Sequence, residues 1–554
     1  MTPTHCFNSY IERSIKENWD KDALTDYKGA TLQYHDVARK IAKLHILFRH
    51  SGVKQGDKIA LCGRNSSMWA AAFLATLTYG AVAVPIQHEF TPEMVHNIVN
   101  HSESKLLFVG DVVATTIDAA QMPSLEGIVY LPDFSLVLSR SEELTFAREH
   151  LNKLFGDQYP KCFDASHVSY HHDEPEELAL INYTSGTTGF SKGVMLPYRA
   201  IWNNLDWTLR TLGGHMRRGD SVLCMLPMAH MYGMMCEFIF NFCFGSHLFF
   251  LTRQPSPSLI QRACADIKPQ IVIAVPLVIE KIVRKMVFPI IQQRSMHLLL
   301  NMPVVSKRIK ARLCQQVKEV FGGRLYELMF GGAGLNREVE EFLLSIGFPL
   351  AVGYGTTETA PIITYSSHLD FVPGTCGKVI DNMELRIVSD DPANIPGEIL
   401  TRGMNVMHGY YKNQEATDAV IDKDGWFHTG DLATMDADGH VFLRGRIKNM
   451  LLGANGQNVY PEEIENKLNS MTLVSESIIV QRGDKLVGLV HPDMEEARSM
   501  GFSDDDLVQL MEQNRQQLNG ELPAFCKISS IQIHMEEFQK TAKKSIKRYL
   551  YQNV

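Results

Sequence analysis

The sequence predicts an α/β protein: a large N-terminal domain of stacked α/β layers carrying a small β-barrel-like subdomain, then a small α+β C-terminal domain. Helical and strand-like apolar patterns alternate from about residue 34 to about residue 360. After about residue 370, short alternating runs separated by Pro-Gly and Asp-Gly turns replace them. From about residue 448 the chain turns lysine- and glutamate-rich with helical spacing. At 554 residues the chain exceeds what one hydrophobic core supports, so more than one domain is expected.

The elements follow in order. "YHDVARKIAKLHILFRHSG" has helical spacing with a terminal Ser-Gly, and "KIALCG" after it reads as a strand. "MWAAAFLATLTYGAVAVPI" is an apolar helix ending near Gly80, then a β-branched run into Pro85. "LALINY" is a continuous apolar run, the pattern of a strand covered on both faces. "GVML" reads as another strand, before a helix around "YRAIWNNLDW". "PSLIQRACADIKPQIVIAVP" gives a helix, Pro269 and a buried strand from Ile271 to Val275. "GFPLAVGYGTTETAP" is a short strand delivering a Gly, Tyr and Thr loop. "NMELRIVS", "GEILTRG" and "HVFLRGR" suit a small antiparallel sheet over about 370–446, and helices are expected around "PEEIENKLNSM" and "SDDDLVQLMEQNRQQLNG". The boundary falls between Arg446 and Lys448, giving 1–446 and 447–554.

Composition narrows the partners. A net charge of -8 provides no basic field for nucleic acid. Ten scattered cysteines contain no Cys-x-x-Cys pair, which argues for reduced thiols in a cytosolic protein. The amino terminus lacks the apolar core of an export signal. "MMCEFIFNFCFGSHLFFL" is long enough to span a bilayer but carries Glu237, Asn241 and His247, so a buried element is expected instead.

"INYTSGTTGFSKGVML" places four hydroxyl side chains and two glycines within Thr184–Gly189, with Lys192 three positions later. Inward-turned amides at Gly186 and Gly189, the hydroxyls of Thr184, Ser185, Thr187 and Thr188, and the Lys192 ammonium would suit a polyphosphate. A solvent-exposed Ser/Gly turn is the alternative. A Walker loop is excluded, because the order is Gly-x-x-Gly-x-x-Lys-Gly and the loop joins strand to strand.

"YTSGTTGFSKGV" resembles the phosphate loop of the adenylate-forming superfamily, which includes acyl-CoA synthetases, carrier-protein adenylation domains and luciferases. Ser191 stands where that family usually has proline, which implies a softer loop. "YGTTE" at 354–358, "HTGD" at 428–431 and "RGRIKN" at 444–449 are similar to later motifs of the family, in the family's order. The resemblance implies that Tyr354 stacks on adenine, Thr357 contacts the α-phosphate, and Asp431 takes the ribose hydroxyls beside Arg446. It extends nucleotide contacts to Gly332, Ala333, Gly355 and Thr356, and names Glu358 and Thr184 as ligands of Mg²⁺, a hard cation suited to oxygen. The implied chemistry is attack of a carboxylate on the α-phosphate of ATP, then displacement of AMP by a thiol. A mobile C-terminal domain would rotate about Lys448 between the two steps.

The family's ending breaks here. "KTAKKSIKRYLY" at 540–551 has Ser545 where the adenylation lysine is usual. Lys544, one residue before, is the candidate, with Lys540, Lys543 and Lys547 close by. "LPMAHMYG" resembles the segment lining the acyl pocket, with His230 near the carboxylate, although a lone histidine also suits a packed core. The methionines and phenylalanines that follow, and an N-terminal resemblance to long-chain fatty acid-CoA ligases, imply a medium- to long-chain fatty acid. Coenzyme A is the default acceptor. An acyl carrier protein offers the same thiol, and a non-catalytic nucleotide binder is a third reading. A homodimer and transient contact of a cytoplasmic enzyme with a membrane surface are compatible with the chain.

Overall fold

The computed structural model describes the chain apart from residues 1–5, 185–191, 275, 287, 289–302, 332–333, 453–457, 484, 541–545 and 553–554. Two large sheets dominate. The eight-stranded sheet runs Gly409–Tyr410, Lys192–Pro197, Leu178–Thr184, Val82–Ile86, Lys58–Cys62, Ser104–Val109, Gly127–Tyr130, Leu136–Ser139. The nine-stranded sheet contains Ile271–Ala274, Glu327–Gly331, Leu350–Gly355 and Ile362–Ser366 as consecutive neighbours towards one edge. Both are parallel through their centres and antiparallel at their edges. That explains the near-continuous apolar runs in their central strands, which are buried on both faces.

One helix shows why the sequence pattern looks as it does. Ser67–Tyr79 is apolar all round, with no single hydrophobic stripe. It packs against Lys58–Cys62 of the eight-stranded sheet and against Asp22–Asp26 of the nine-stranded one, so every face is buried. The Ser66 hydroxyl accepts from Trp69 N at 3.1 Å to start it. Gly80, left-handed at φ 83°, ends it where the sequence places the stop.

The most apolar stretch is buried, and it is broken into three pieces. A π-helical segment Gly233–Ile239 runs into the short helix Phe240–Phe244, then Gly245 turns the chain into the strand His247–Phe250. Phe238, Phe240 and Phe242 lie in the core. Among the described residues, no helix is long and apolar enough to cross a membrane.

The β-rich part is a four-stranded antiparallel sheet of Met383–Val388, Gly397–Gly403, Phe427–Met435 and Val441–Arg446. Asp431 lies inside one of these strands, beside a register shift, whereas its "TGD" context suggests a turn. Beyond it, Val474–Arg482, Lys485–Pro492 and Ile528–Ile533 form a separate sheet with its own core, covered by Pro461–Leu468 and Asp504–Glu521.

Candidate active site

The polar loop hangs from a two-stranded ribbon. Leu178–Thr184 pairs antiparallel with Lys192–Pro197, and Thr184 lies opposite Lys192 at the open end. Ser185, Gly186, Thr187, Thr188 and Gly189 lie outside the described residues. Gly409–Tyr410 pairs along the ribbon's outer edge, with Tyr410 opposite Val194. Lys192 Nζ therefore sits 4.7 Å from the centre of the Tyr410 ring. The Tyr410 hydroxyl donates to Glu358 Oε1 at 3.0 Å. Burial, reinforced by the Glu358 carboxylate, pushes the Tyr410 phenol up, so it remains a proton donor at neutral pH.

Glu358 belongs to a tight turn at the end of Leu350–Gly355. The chain passes through Gly355 and Thr356, makes a short 3-10 turn over Thr357–Thr359, and returns as Ile362–Ser366. A Cβ on Gly355 would lie 1.7 Å from the Pro361 carbonyl oxygen, so only glycine fits that fold-back. Thr356 N donates to Thr359 Oγ1 at 3.1 Å, and Thr357 is buried. The turn is bolted to the helix Tyr198–Leu212, which starts directly after the ribbon. Asn204, fully buried, accepts from Ile362 N at 3.0 Å and donates to Thr359 O at 3.3 Å.

On the other flank, the Tyr354 hydroxyl donates to Asp431 Oδ2 at 2.7 Å. Asp431 Oδ1 is paired with Arg446 Nε at 2.9 Å, its cross-strand partner in the antiparallel sheet. Burial raises the Asp431 carboxyl, while Arg446 and the Tyr354 hydroxyl pull it back towards the ionised form. Gly332 and Ala333 follow directly on Glu327–Gly331 and lie outside the described residues.

His230 sits half-buried on a loop that three buried polar side chains hold. Asn182, from the strand bearing Thr184, donates to Ala229 O at 2.9 Å. Asn65 accepts from Met228 N at 2.9 Å and donates to Leu226 O at 2.7 Å. Glu237 accepts from Met225 N at 3.2 Å and Leu226 N at 2.9 Å. Its carboxyl is completely buried, and no described residue forms an ion pair with it; desolvation raises it well above the carboxylate range despite the two amide donors.

Lys448 lies in a 3-10 turn, Ile447–Asn449, two residues past Arg446, and is exposed. Here the helix Pro461–Leu468 presses on the strand Val441–Arg446: Asn449 Nδ2 donates to Glu462 Oε1 at 2.6 Å, and Arg444 pairs with Glu463 at 3.6 Å. A Cβ on Gly445 would fall 2.7 Å from Glu462 Oε2. Of the C-terminal lysines, Lys544 and Lys543 lie outside the described residues. Lys540 is engaged by Glu476 at 2.5 Å. Lys547 is half-buried.

An unbroken series of contacts thus joins Thr184, Lys192 and Glu358, and the turn 354–358 continues it to Asp431 and Arg446. Tyr410, Asn182, Asn204 and Glu237 are additions that the sequence reading missed. Tyr410 sits in "HGYYKN", which carries no motif, and Glu237 shows only as an acid intruding on an apolar run.

A model of the AMP-binding enzyme family matches residues 11–411, and one of the AMP-binding enzyme C-terminal domain matches residues 448–553. The chain is similar to long chain acyl-CoA synthetase 2 of Arabidopsis thaliana, 29% identical over 499 residues covering 83% of this chain and 72% of that protein. It is also similar to 4-coumarate–CoA ligase 5 of Oryza sativa subsp. japonica, 27% identical over 528 residues covering 92% and 88%. Among solved structures, the anthranilate CoA ligase AuaEII in complex with anthranoyl-AMP shares the fold, with TM-score 0.79 and 20% identity over 99% of this chain and 96% of that one.

Two stability measurements check this geometry. Asn204→Leu leaves Ile362 N and Thr359 O without their buried partner and is expected to cost about 2–3 kcal/mol in denaturant unfolding. A loss under about 0.5 kcal/mol would show that the turn does not hang on the helix. For Glu237 the folded state retains a proton that the unfolded chain releases above about pH 4.5, so its contribution to stability falls as pH rises past that value. Glu237→Gln forfeits one acceptor and cannot titrate. Its cost, about 1 kcal/mol near pH 5, should shrink towards about pH 8; a cost that grows with pH would mean a charged carboxylate.

Proposed function

The chain belongs to the AMP-binding enzyme family, and from that premise we propose that it activates a medium- to long-chain fatty acid with ATP through an acyl-adenylate and passes the acyl group to coenzyme A, releasing AMP and pyrophosphate. The observation that carries the reading is the contact series from Thr184 and Lys192 through Tyr410 and Glu358 to Tyr354, Asp431 and Arg446. It gathers an ammonium, hydroxyl donors and two carboxylates from four separated stretches of chain into one connected set of contacts. A nucleoside triphosphate and an acid need that set together.

In this reading Lys192 and the loop donors balance charge on the transferring phosphate, and Asp431, fixed by Arg446, accepts the ribose hydroxyls. Tyr354 meets the adenine ring, and Thr357 donates to the α-phosphate. His230, on its cradled loop, lies by the acyl carboxylate. Glu358 has one oxygen engaged by Tyr410 and no ion-pair partner among the described residues, so a hard cation fits there. Glu358 and Thr184 would hold Mg²⁺, which when bound neutralises phosphate charge. Medium to long chains are favoured by the methionine and phenylalanine run after His230 and by the name of the Arabidopsis relative; the 4-coumarate and anthranilate ligases mark the aromatic alternative. The protein divides at Arg446 to Lys448, with the small domain turning about Lys448 between half-reactions.

Acid-dependent exchange of labelled pyrophosphate into ATP tests the first step. Across fatty acids of increasing length, the apparent KM should fall about fourfold per methylene until the pocket is filled, as roughly 0.8 kcal/mol per buried CH₂ requires. No exchange with any acid overturns the reading; exchange without acyl-CoA product would point to a carrier-protein thiol instead. Lys448→Pro, which fixes φ at the turn, should slow thioester formation about tenfold more than adenylation. Equal losses in both would remove the hinge role.

A further inference from the structure

One aromatic ring stands between two opposite charges of the candidate site. Tyr410 is 7% exposed; Lys192 Nζ lies over its face, 4.7 Å from the ring centre, and its hydroxyl, at the rim, donates to Glu358 Oε1 at 3.0 Å. Lys192 and Glu358 are both half-buried. Among the described residues the ammonium and the carboxylate form no ion pair, with each other or with any other group. Opposite charges held this near one another and partly screened from water would pair if nothing stood between them.

The ring is held there by its backbone, not by the charges it separates. Tyr410 N donates to Thr417 Oγ1 at 2.9 Å, and Tyr411 N donates to Gly193 O, on the strand of Lys192, at 2.7 Å. Gly409, at φ 138°, lets the chain pass close to Thr417: a Cβ there would lie 2.6 Å from Thr417 Cγ2. Upstream, Arg199 Nη1 donates to Met404 O and Val406 O, each at 2.7 Å, and Met407 N donates to Glu358 O at 2.9 Å. The segment 404–411 therefore holds Glu358 by its carbonyl as well as by its carboxylate, and is itself fastened to the ribbon that carries Lys192.

We propose that Tyr410 is a spacer that keeps Lys192 and Glu358 from pairing with each other, so that the ammonium stays available to phosphate and the carboxylate to a cation. The proposal rests on the acid-activating reading above. An ammonium on a ring face gives up a modest attraction when phosphate arrives, whereas a charge-assisted lysine–carboxylate hydrogen bond would have to be broken first. The phenol engages one oxygen of Glu358 and so orients the carboxylate without neutralising it. Tyr410 is a positioning residue in this scheme, acting through the two side chains it separates.

The test is a mutant cycle on the full-length protein, read as the rate at which acetic anhydride modifies Lys192 without nucleotide, followed by peptide mass spectrometry. Only the unprotonated amine reacts, so pairing with a carboxylate slows the reaction. With Tyr410 in place, Glu358→Gln should change the rate by less than about threefold. In the Tyr410→Leu background the same change should speed it by about tenfold, the factor that one pKa unit gives; Tyr410→Met, which fills more of the slot, repeats the comparison if the leucine variant folds poorly. Calorimetric affinity for ATP with Mg²⁺, in the absence of acid, should fall about tenfold in Tyr410→Leu. An equal effect of Glu358→Gln in both backgrounds, or an unchanged ATP affinity in Tyr410→Leu, overturns the proposal. If the unmodified protein shows no pyrophosphate exchange with any acid, the acid-activating reading fails; the labelling cycle then still decides whether the ring separates the two charges.

Discussion

The site depends on a carboxylate that water barely reaches. Asp431 is 5% exposed and would be costly to keep ionised there without partners. It has two, and they come from different sheets: the Tyr354 hydroxyl from the nine-stranded sheet and the Arg446 guanidinium from the adjacent strand of its own. The same carboxylate therefore fixes how the four-stranded sheet meets the large one, and where the chain leaves towards Lys448. A hydrogen bond to a charged group is worth roughly twice a neutral one, and two on one side chain leave it little freedom to turn. The group suited to bind a ribose is thus also the group that aligns the sheets around it.

The ribbon side obeys a different rule. Its strand is central and apolar, so its register is set by burial on both faces, and the polar loop emerges at a fixed place. Asn182, a buried polar residue of that strand, holds the His230 loop. The segments proposed to face the nucleotide and the acid are thus referenced to the same piece of backbone. That arrangement suits a reaction in which a carboxylate oxygen must meet a phosphorus atom within a few tenths of an ångström.

Much of this was legible in the sequence, and the limits follow from physics. Leu178–Thr184 is readable because a doubly covered strand has no polar alternation to confuse it, and Ser67–Tyr79 because Ser66 and Gly80 bracket it. Tyr354, Glu358, Asp431 and Arg446 are readable only through family resemblance: nothing local in "HTGD" says that its aspartate is buried in a strand between two partners. Tyr410 and Asn204 work through contacts with residues distant in sequence, so no local pattern reports them, and Glu237 shows only as an acid within an apolar run. The basic C-terminal stretch is the sharpest case. Nothing local in "KTAKKSIKRYLY" says that Lys540 is paired with Glu476 and Arg548 with the buried Glu465.

The helix Ser67–Tyr79 has a consequence for how the molecule comes apart. It is wall to both large sheets at once, with Trp69 and Phe73 stacked 5.2 Å apart at its centre. Neither sheet can shed it without exposing the other, so the two cannot melt in turn. Amide protons in Lys58–Cys62 and Asp22–Asp26, on the two strands that this helix packs against, are therefore expected to exchange as one cooperative unit.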